Sequence, residues 1–187
     1  IEANNLFLKL LKKNQYGKTS LFKKFNIKFL TLNIIALSYI FLVFCNFSYE
    51  IYKYEGSIFL LYIISICFFT DIGGYAFGKI IGGKKLSKIS PNKTISGTVG
   101  SFLFSITPLI IILNFNYLDF ELNLNNIIFC LCISLISQLG DLFISFIKRK
   151  AKIKDTGHIL PGHGGVLDRL DGIIFAVPFS YLLLRLF

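Results

Sequence analysis

The sequence predicts an all-α, polytopic integral membrane protein with about five transmembrane helices. Three observations carry that prediction: scarce charge, long charge-free runs, and basic residues sorted into alternate connections. Of the 187 residues, 54% are hydrophobic and only 16% charged, and mean hydropathy is +0.67. A soluble domain is about a quarter charged, so lipid is the expected main solvent. A net charge of +10 would, in a soluble protein, suggest nucleic acid as a partner. Here the positive residues lie between apolar runs and read as membrane flanks, so no nucleic-acid partner is expected.

The elements follow in order. Residues 1–28 are basic and amphipathic, with seven lysines and with Leu6, Leu8, Leu10 and Leu11 among them, a pattern that suits a short interfacial helix. They form a cytoplasmic segment ahead of one membrane-embedded domain, 29–187. The run 29–47 carries no charge and is long enough to cross the hydrocarbon core. After a link containing Glu50, Lys53 and Glu55, a second run, 57–69, passes into the polar sequence TDIGGYAFGKIIGG. A basic loop, 79–93, has five lysines and no acid. The third run, 97–118, contains Pro108, a residue that cannot donate to the helix ladder and so predicts a kink. The fourth, 122–140, ends at Asp141, and a long polar loop, 145–171, leads to the fifth, 172–184.

Orientation follows from lysine and arginine. Eighteen of the 20 lie in the N-terminal segment, the 79–93 loop and the 145–171 loop, which places those three in the cytoplasm. A soluble helical core could be as apolar but would not sort its charges this way. Cys45, Cys67, Cys130 and Cys132 lack the spacing of a zinc knuckle or redox pair, and read as small buried hydrophobes kept reduced. The chain begins with isoleucine and shows no signal-peptide pattern, so a longer natural N-terminus is expected.

Acids at membrane depth are costly and mark function. Two groups qualify, both on the cytoplasmic side. In the first, Asp141, Ser145 and Lys148 share one helical face, and Asp168 and Asp171 share another if the last helix starts there. Between them lies a glycine-rich turn, 161–165, with His163. Three carboxylates suit a hard, oxygen-preferring cation such as Mg²⁺. Lys148, Arg149, Lys154 and Arg169 supply charge for phosphate oxygens, while Lys150 and Lys152 read as ordinary membrane flanks. Carboxylates, metal and basic residues together equip a site for attack at phosphorus. In the second group, Asp71 ends an apolar run, and the glycine- and lysine-rich loop after it could hold a triphosphate.

The first group resembles the signature of phosphatidate cytidylyltransferases, also called CDP-diacylglycerol synthases. It has Ser145, Lys148–Arg149, Lys154–Asp155, His163–Gly164–Gly165, Asp168–Arg169 and Asp171, each at the family's spacing over 27 residues. The second group is similar to the family's other cytoplasmic segment, with Thr70–Asp71 and then Ser90, Pro91, Asn92, Lys93 and Thr94. The family usually has an acid two residues after that threonine, where this chain has Ser96. The likeness covers roughly residues 30–187, and family members usually carry further N-terminal membrane helices.

The resemblance implies a bacterial cytoplasmic-membrane enzyme that makes CDP-diacylglycerol and pyrophosphate from CTP and phosphatidic acid, for phospholipid biosynthesis. It places metal on Asp141 and Asp168, with Asp171 close by. Mg²⁺ is expected, with Mn²⁺ and an additional monovalent cation left open. Lys93, Lys148, Arg149 and Lys154 would neutralise phosphates, and Ser145 would hydrogen-bond one. Asp71, Ser90, Thr94, Asp155, His163, Gly164, Gly165 and Arg169 would line the substrates. A homodimer is implied as well. Two other classes fit the sequence less well: a CDP-alcohol phosphotransferase, whose paired-acid motif is absent, and a cation transporter, which leaves the Gly-, Lys- and His-rich loop unexplained. The two cytoplasmic segments are expected to form one site, because a nucleoside triphosphate carries too much charge for one loop.

Overall fold

A computed structural model describes residues 38–86, 90, 93–115, 121–150 and 167–186. Among these the backbone is helix and turn, apart from one isolated antiparallel bridge between Lys85 and Thr94. A π-helical stretch, Tyr39–Cys45, leads into α1 (Asn46–Ile80). Then come α2 (Ile95–Phe104), α3 (Thr107–Phe115), α4 (Leu124–Lys150), α5 (Leu167–Leu170) and α6 (Ile173–Leu184). The expected amphipathic segment 1–28 and the start of the first apolar run lie outside the described residues.

The chain is an all-α membrane protein. Among the described residues, three stretches are long and apolar enough to cross a bilayer: Leu42–Ile80, Ile95–Phe115 and Leu124–Lys150. Large apolar side chains such as Leu61, Phe68, Leu103, Leu135 and Leu139 face outward, a surface that lipid rather than water accommodates. The last expected span is α6, whose 12 residues reach about 18 Å at 1.5 Å per residue.

Two breaks divide the long helices. α1 runs through the expected first link, but its backbone leaves helical geometry at Gly56 (φ 84°, ψ 175°), a conformation open to glycine without strain. The third run breaks at Ser105–Ile106, just ahead of Pro108, which is the kink expected there. The helices also run further than the apolar runs suggested. α1 continues nine residues beyond Asp71, and α4 nine beyond Asp141. Each acid therefore sits about 13 Å inside its helix end, whereas the sequence had placed it at the end.

Small residues set the packing. α2 lies against the C-terminal part of α1, and glycines from both helices form the contact. A Cβ at Gly97 would meet the Gly74 carbonyl oxygen at 2.7 Å, and one at Gly100 the Gly73 carbonyl oxygen at 2.7 Å. This is the close approach that small residues permit between membrane helices. α4 and α6 cross in the same manner. A Cβ at Gly140 would lie 2.7 Å from Phe175 Cδ2 and 3.0 Å from the Asp171 carbonyl oxygen. Between these crossings Ile63, Ile66, Leu109, Ile133, Ala176 and Val177 form the buried core, and Tyr62 Oη lies 3.0 Å from Cys130 Sγ. Cys67 and Cys130 are buried as expected and Cys132 is half-buried. Cys45 is exposed, because it lies on the outer side of the π-helical stretch.

Candidate functional site

The site begins with the turn after α1. Gly82 (φ 63°) and Gly83 (φ 103°) reverse the chain, in conformations that disfavour other residues. The basic loop then closes on itself: Leu86 N–H donates to the Lys93 carbonyl (2.8 Å) and Ile95 N–H to the Lys84 carbonyl (3.0 Å). Thr94 caps α2, its Oγ1 accepting from Gly97 N–H at 3.1 Å, which satisfies one of the helix's orphan donors. Ser96, where the resembling family usually has an acid, donates to the Gly82 carbonyl and lies 3.0 Å from Thr94 Oγ1. It thus fastens the start of α2 to the glycine turn.

Ion pairs join this loop to the second half of the chain. Lys93 Nζ pairs with Asp141 on α4, and Ser145, one turn further on, donates to Asp141 Oδ1 at 3.3 Å. Lys148 Nζ donates to Asp168 Oδ1 at 2.8 Å and lies 3.9 Å from Asp171 Oδ2. The side chains of Lys148, Asp168 and Asp171 are only 11%, 9% and 12% exposed. The carboxyls of Asp141 and Asp171 lie within hydrogen-bonding reach of each other, brought there by the Gly140 crossing. Burial first, then the Asp141 carboxyl, push the Asp171 carboxyl up to about 7, against the pull of Lys148 and of the Gly172 N–H. Asp71 on α1 lies in electrostatic range of Lys93, Asp141 and Arg169.

A cavity of about 260 Å³ opens between α1, α2 and α4. Asp71, Ser90, Lys93 and Thr94, all expected from the sequence, line it. So do Tyr75, Thr98, Ser101 and Gln138, which sequence reasoning passed over. The available signal was a polar side chain at helical spacing within an apolar run, as in Ser134, Ser137 and Gln138. Gly73, Gly74 and Gly78 were read as part of a phosphate-holding loop, but the helix continues through them and uses them for packing. Arg149 and Arg169 are exposed on α4 and α5. Lys154, Asp155, His163, Gly164 and Gly165 lie outside the described residues.

The donors fit a hard divalent cation. Among the described residues no three acids, cysteines or histidines converge as a cage, but two carboxyls, Asp141 and Asp171, meet. Mg²⁺ is usually held by one or two carboxylates together with water and substrate phosphates, which is the donor set available here. The arrangement thus combines carboxylates for a cation, two lysines for anionic oxygens, and a polar cavity between membrane-spanning helices.

Residues 5–187 match the Cytidylyltransferase family. A protein of Staphylococcus aureus (strain COL) named phosphatidate cytidylyltransferase is 45% identical over 141 residues, covering 74% of this chain and 53% of that protein. Proteins of the same name from Staphylococcus haemolyticus and Staphylococcus epidermidis are 42% and 40% identical, over 132 and 154 residues. These cover 70% and 81% of this chain, and 50% and 57% of the relatives. The chain therefore spans about half the length of the curated relatives it matches. With its family match running over nearly the whole chain, and its acids and lysines brought together between the helices, this chain belongs to the cytidylyltransferase family.

Proposed function

We propose that the chain carries the catalytic part of a phosphatidate cytidylyltransferase, transferring CMP from CTP to phosphatidic acid to give CDP-diacylglycerol and pyrophosphate. The observation that carries this reading is the Lys93–Asp141 pair. It joins the loop after α1 to α4 and so brings the two basic segments toward one site.

A phosphate oxygen of the lipid attacks the α-phosphorus of CTP. The bond from that phosphorus to the bridging oxygen of the β-phosphate breaks, and pyrophosphate leaves with the electron pair. Both reactants are polyanions, so charge repulsion is the main barrier and preorganised cations are the main remedy. Lys93 and Lys148, held in place by Asp141 and Asp168, face that charge, with Lys154 and Arg149 from the same basic stretch. Asp141 and Asp171, with Asp168 paired to Lys148, would hold a divalent cation, Mg²⁺ by donor chemistry. When bound, that cation screens phosphate charge and polarises the reacting phosphoryl group. Ser145 orients Asp141. A lipid phosphate is nucleophilic near neutral pH without a general base.

A homodimer, a bacterial cytoplasmic membrane and a cytoplasm-facing site belong to the same proposal. They rest on the resemblance, the bacterial relatives and the charge sorting. The test uses washed membranes expressing this chain. Label from CTP should enter chloroform-soluble lipid only when phosphatidic acid and divalent cation are added. Incorporation with a diacylglycerol-linked CDP donor and a free alcohol instead would overturn the reading.

A further inference from the structure

We propose that Gln138 selects the nucleotide base, its Oε1 accepting the 4-amino group of cytosine in the cavity between α1, α2 and α4. This rests on the reading above that the nucleotide is CTP, and it names the group that tells CTP from its uracil counterpart.

Position comes first. Gln138 lies three residues before Asp141 on α4, about 4.5 Å along the helix axis. It is therefore one turn deeper than the carboxylate that pairs with Lys93. A nucleotide held by its phosphates at Lys93 has Gln138 in the wall of the same cavity for its base. Gly74 and Gly97, where α1 and α2 pack closely, line the cavity between the two.

Polarity comes second. Gln138 is 8% exposed, and that exposure is to the cavity it lines. Its Nε2 donates to Ser134 Oγ at 3.2 Å, which leaves the carbonyl oxygen as the amide's open end. Among the described residues no protein donor reaches that oxygen. Thr98 gives its hydroxyl proton to the Ile95 carbonyl at 2.7 Å, so it too presents lone pairs. With Asp71, three of the lining side chains offer acceptors, while Lys93 supplies the cation at the phosphate end. Cytosine carries an amino group at C4, a donor, where uracil carries a carbonyl, an acceptor. Such a wall hydrogen-bonds cytosine and sets lone pair against lone pair for uracil. A buried polar group left facing the wrong partner is expensive, and sites built on one hydrogen bond reject analogues lacking it.

The experiment compares kcat/KM for CTP, for UTP and for the triphosphate of 2-pyrimidinone riboside, which lacks only the 4-amino group, using membranes carrying the full chain. The wild type should prefer CTP over the 2-pyrimidinone analogue by about tenfold or more. Gln138→Leu should erase most of that preference, while Gln138→Glu keeps an acceptor and should retain it. Ser134→Ala, which frees the amide to turn its N–H toward the base, should weaken the preference in the same direction as Gln138→Leu. An unchanged ratio in Gln138→Leu, or an equal loss on CTP and analogue, overturns the assignment. A wild-type chain that forms no product from CTP overturns the proposed function instead, and is recognised by absent product rather than by a ratio.

Discussion

Lys148 and Lys150 lie two residues apart in one basic stretch, yet their loss should have very different effects. Lys148 is 11% exposed at its side chain, 2.8 Å from one carboxylate oxygen and 3.9 Å from another. Lys148→Ala removes the Lys148 ammonium from Asp168 and Asp171, which are 9% and 12% exposed. Breaking a buried pair by removing one partner costs about 3–5 kcal/mol. The lower end, about 3 kcal/mol, is expected here, because a carboxyl can take up a proton in place of the lost partner. Lys150 is exposed, with its Nζ 4.6 Å from the centre of the Phe146 ring, a contact that contributes about 0.5–1 kcal/mol at such sites. Lys148→Met is the control for lost packing, since it keeps most of the aliphatic stem; it should destabilise nearly as much as alanine. The assay is unfolding by sodium dodecyl sulfate in mixed micelles, with CTP turnover measured on the same preparations. Lys148→Ala and Lys148→Met should lose turnover, whereas Lys150→Ala should retain most of it. Equal, small effects at both positions would refute the claim that Lys148 belongs to a structured site.

Other expectations can be checked alongside. Asp141→Asn and Asp168→Asn should each lower turnover by about a hundredfold or more, as loss of a group stabilising transition-state charge does, with membrane insertion unchanged; near-normal rates would place the cation elsewhere. Gly140→Ala puts a Cβ within 3.0 Å of the Asp171 carbonyl oxygen, and the overpacking should cost about 1–3 kcal/mol and separate Asp171 from Asp141. Unchanged stability and activity would show that the α4–α6 crossing does not position the site. Cysteines introduced singly in the 79–93 and 145–171 loops should resist an impermeant maleimide applied outside intact cells, and labelling of either would contradict the orientation.

The helical period made part of this site readable in advance. Asp141, Ser145 and Lys148 stand four and three residues apart, and the structure puts their side chains on one face, where Ser145 reaches Asp141 and Lys148 reaches Asp168. The partnership of Lys93 with Asp141 was legible only as an expected meeting of two loops. Which lysine meets which acid depends on how α1, α2 and α4 pack, and the α1–α2 contact depends on glycines that look like loop residues in the sequence. That ambiguity explains the misplaced helix ends. Glycine and lysine after Asp71 suggested a loop, but Gly74 and Gly78 face α2 across a membrane-depth contact, where small side chains favour helix pairing over helix breaking. Gln138 escaped notice because it is neutral and lies in an uncharged run; its orientation toward a cavity exists only once α1, α2 and α4 have come together.

The central claim is that two segments, separated in sequence by the 97–118 and 122–140 runs, form one site for one nucleotide. Amine-reactive labelling tests it most directly, with the modified lysines read by mass spectrometry. CTP with divalent cation should protect both Lys93 and Lys154, and omission of the cation should remove the protection, while Lys53 on the opposite side labels equally throughout. Protection of Lys154 with Lys93 fully reactive would contradict the account, because the Lys93–Asp141 pair would then be a folding contact and not part of the nucleotide site.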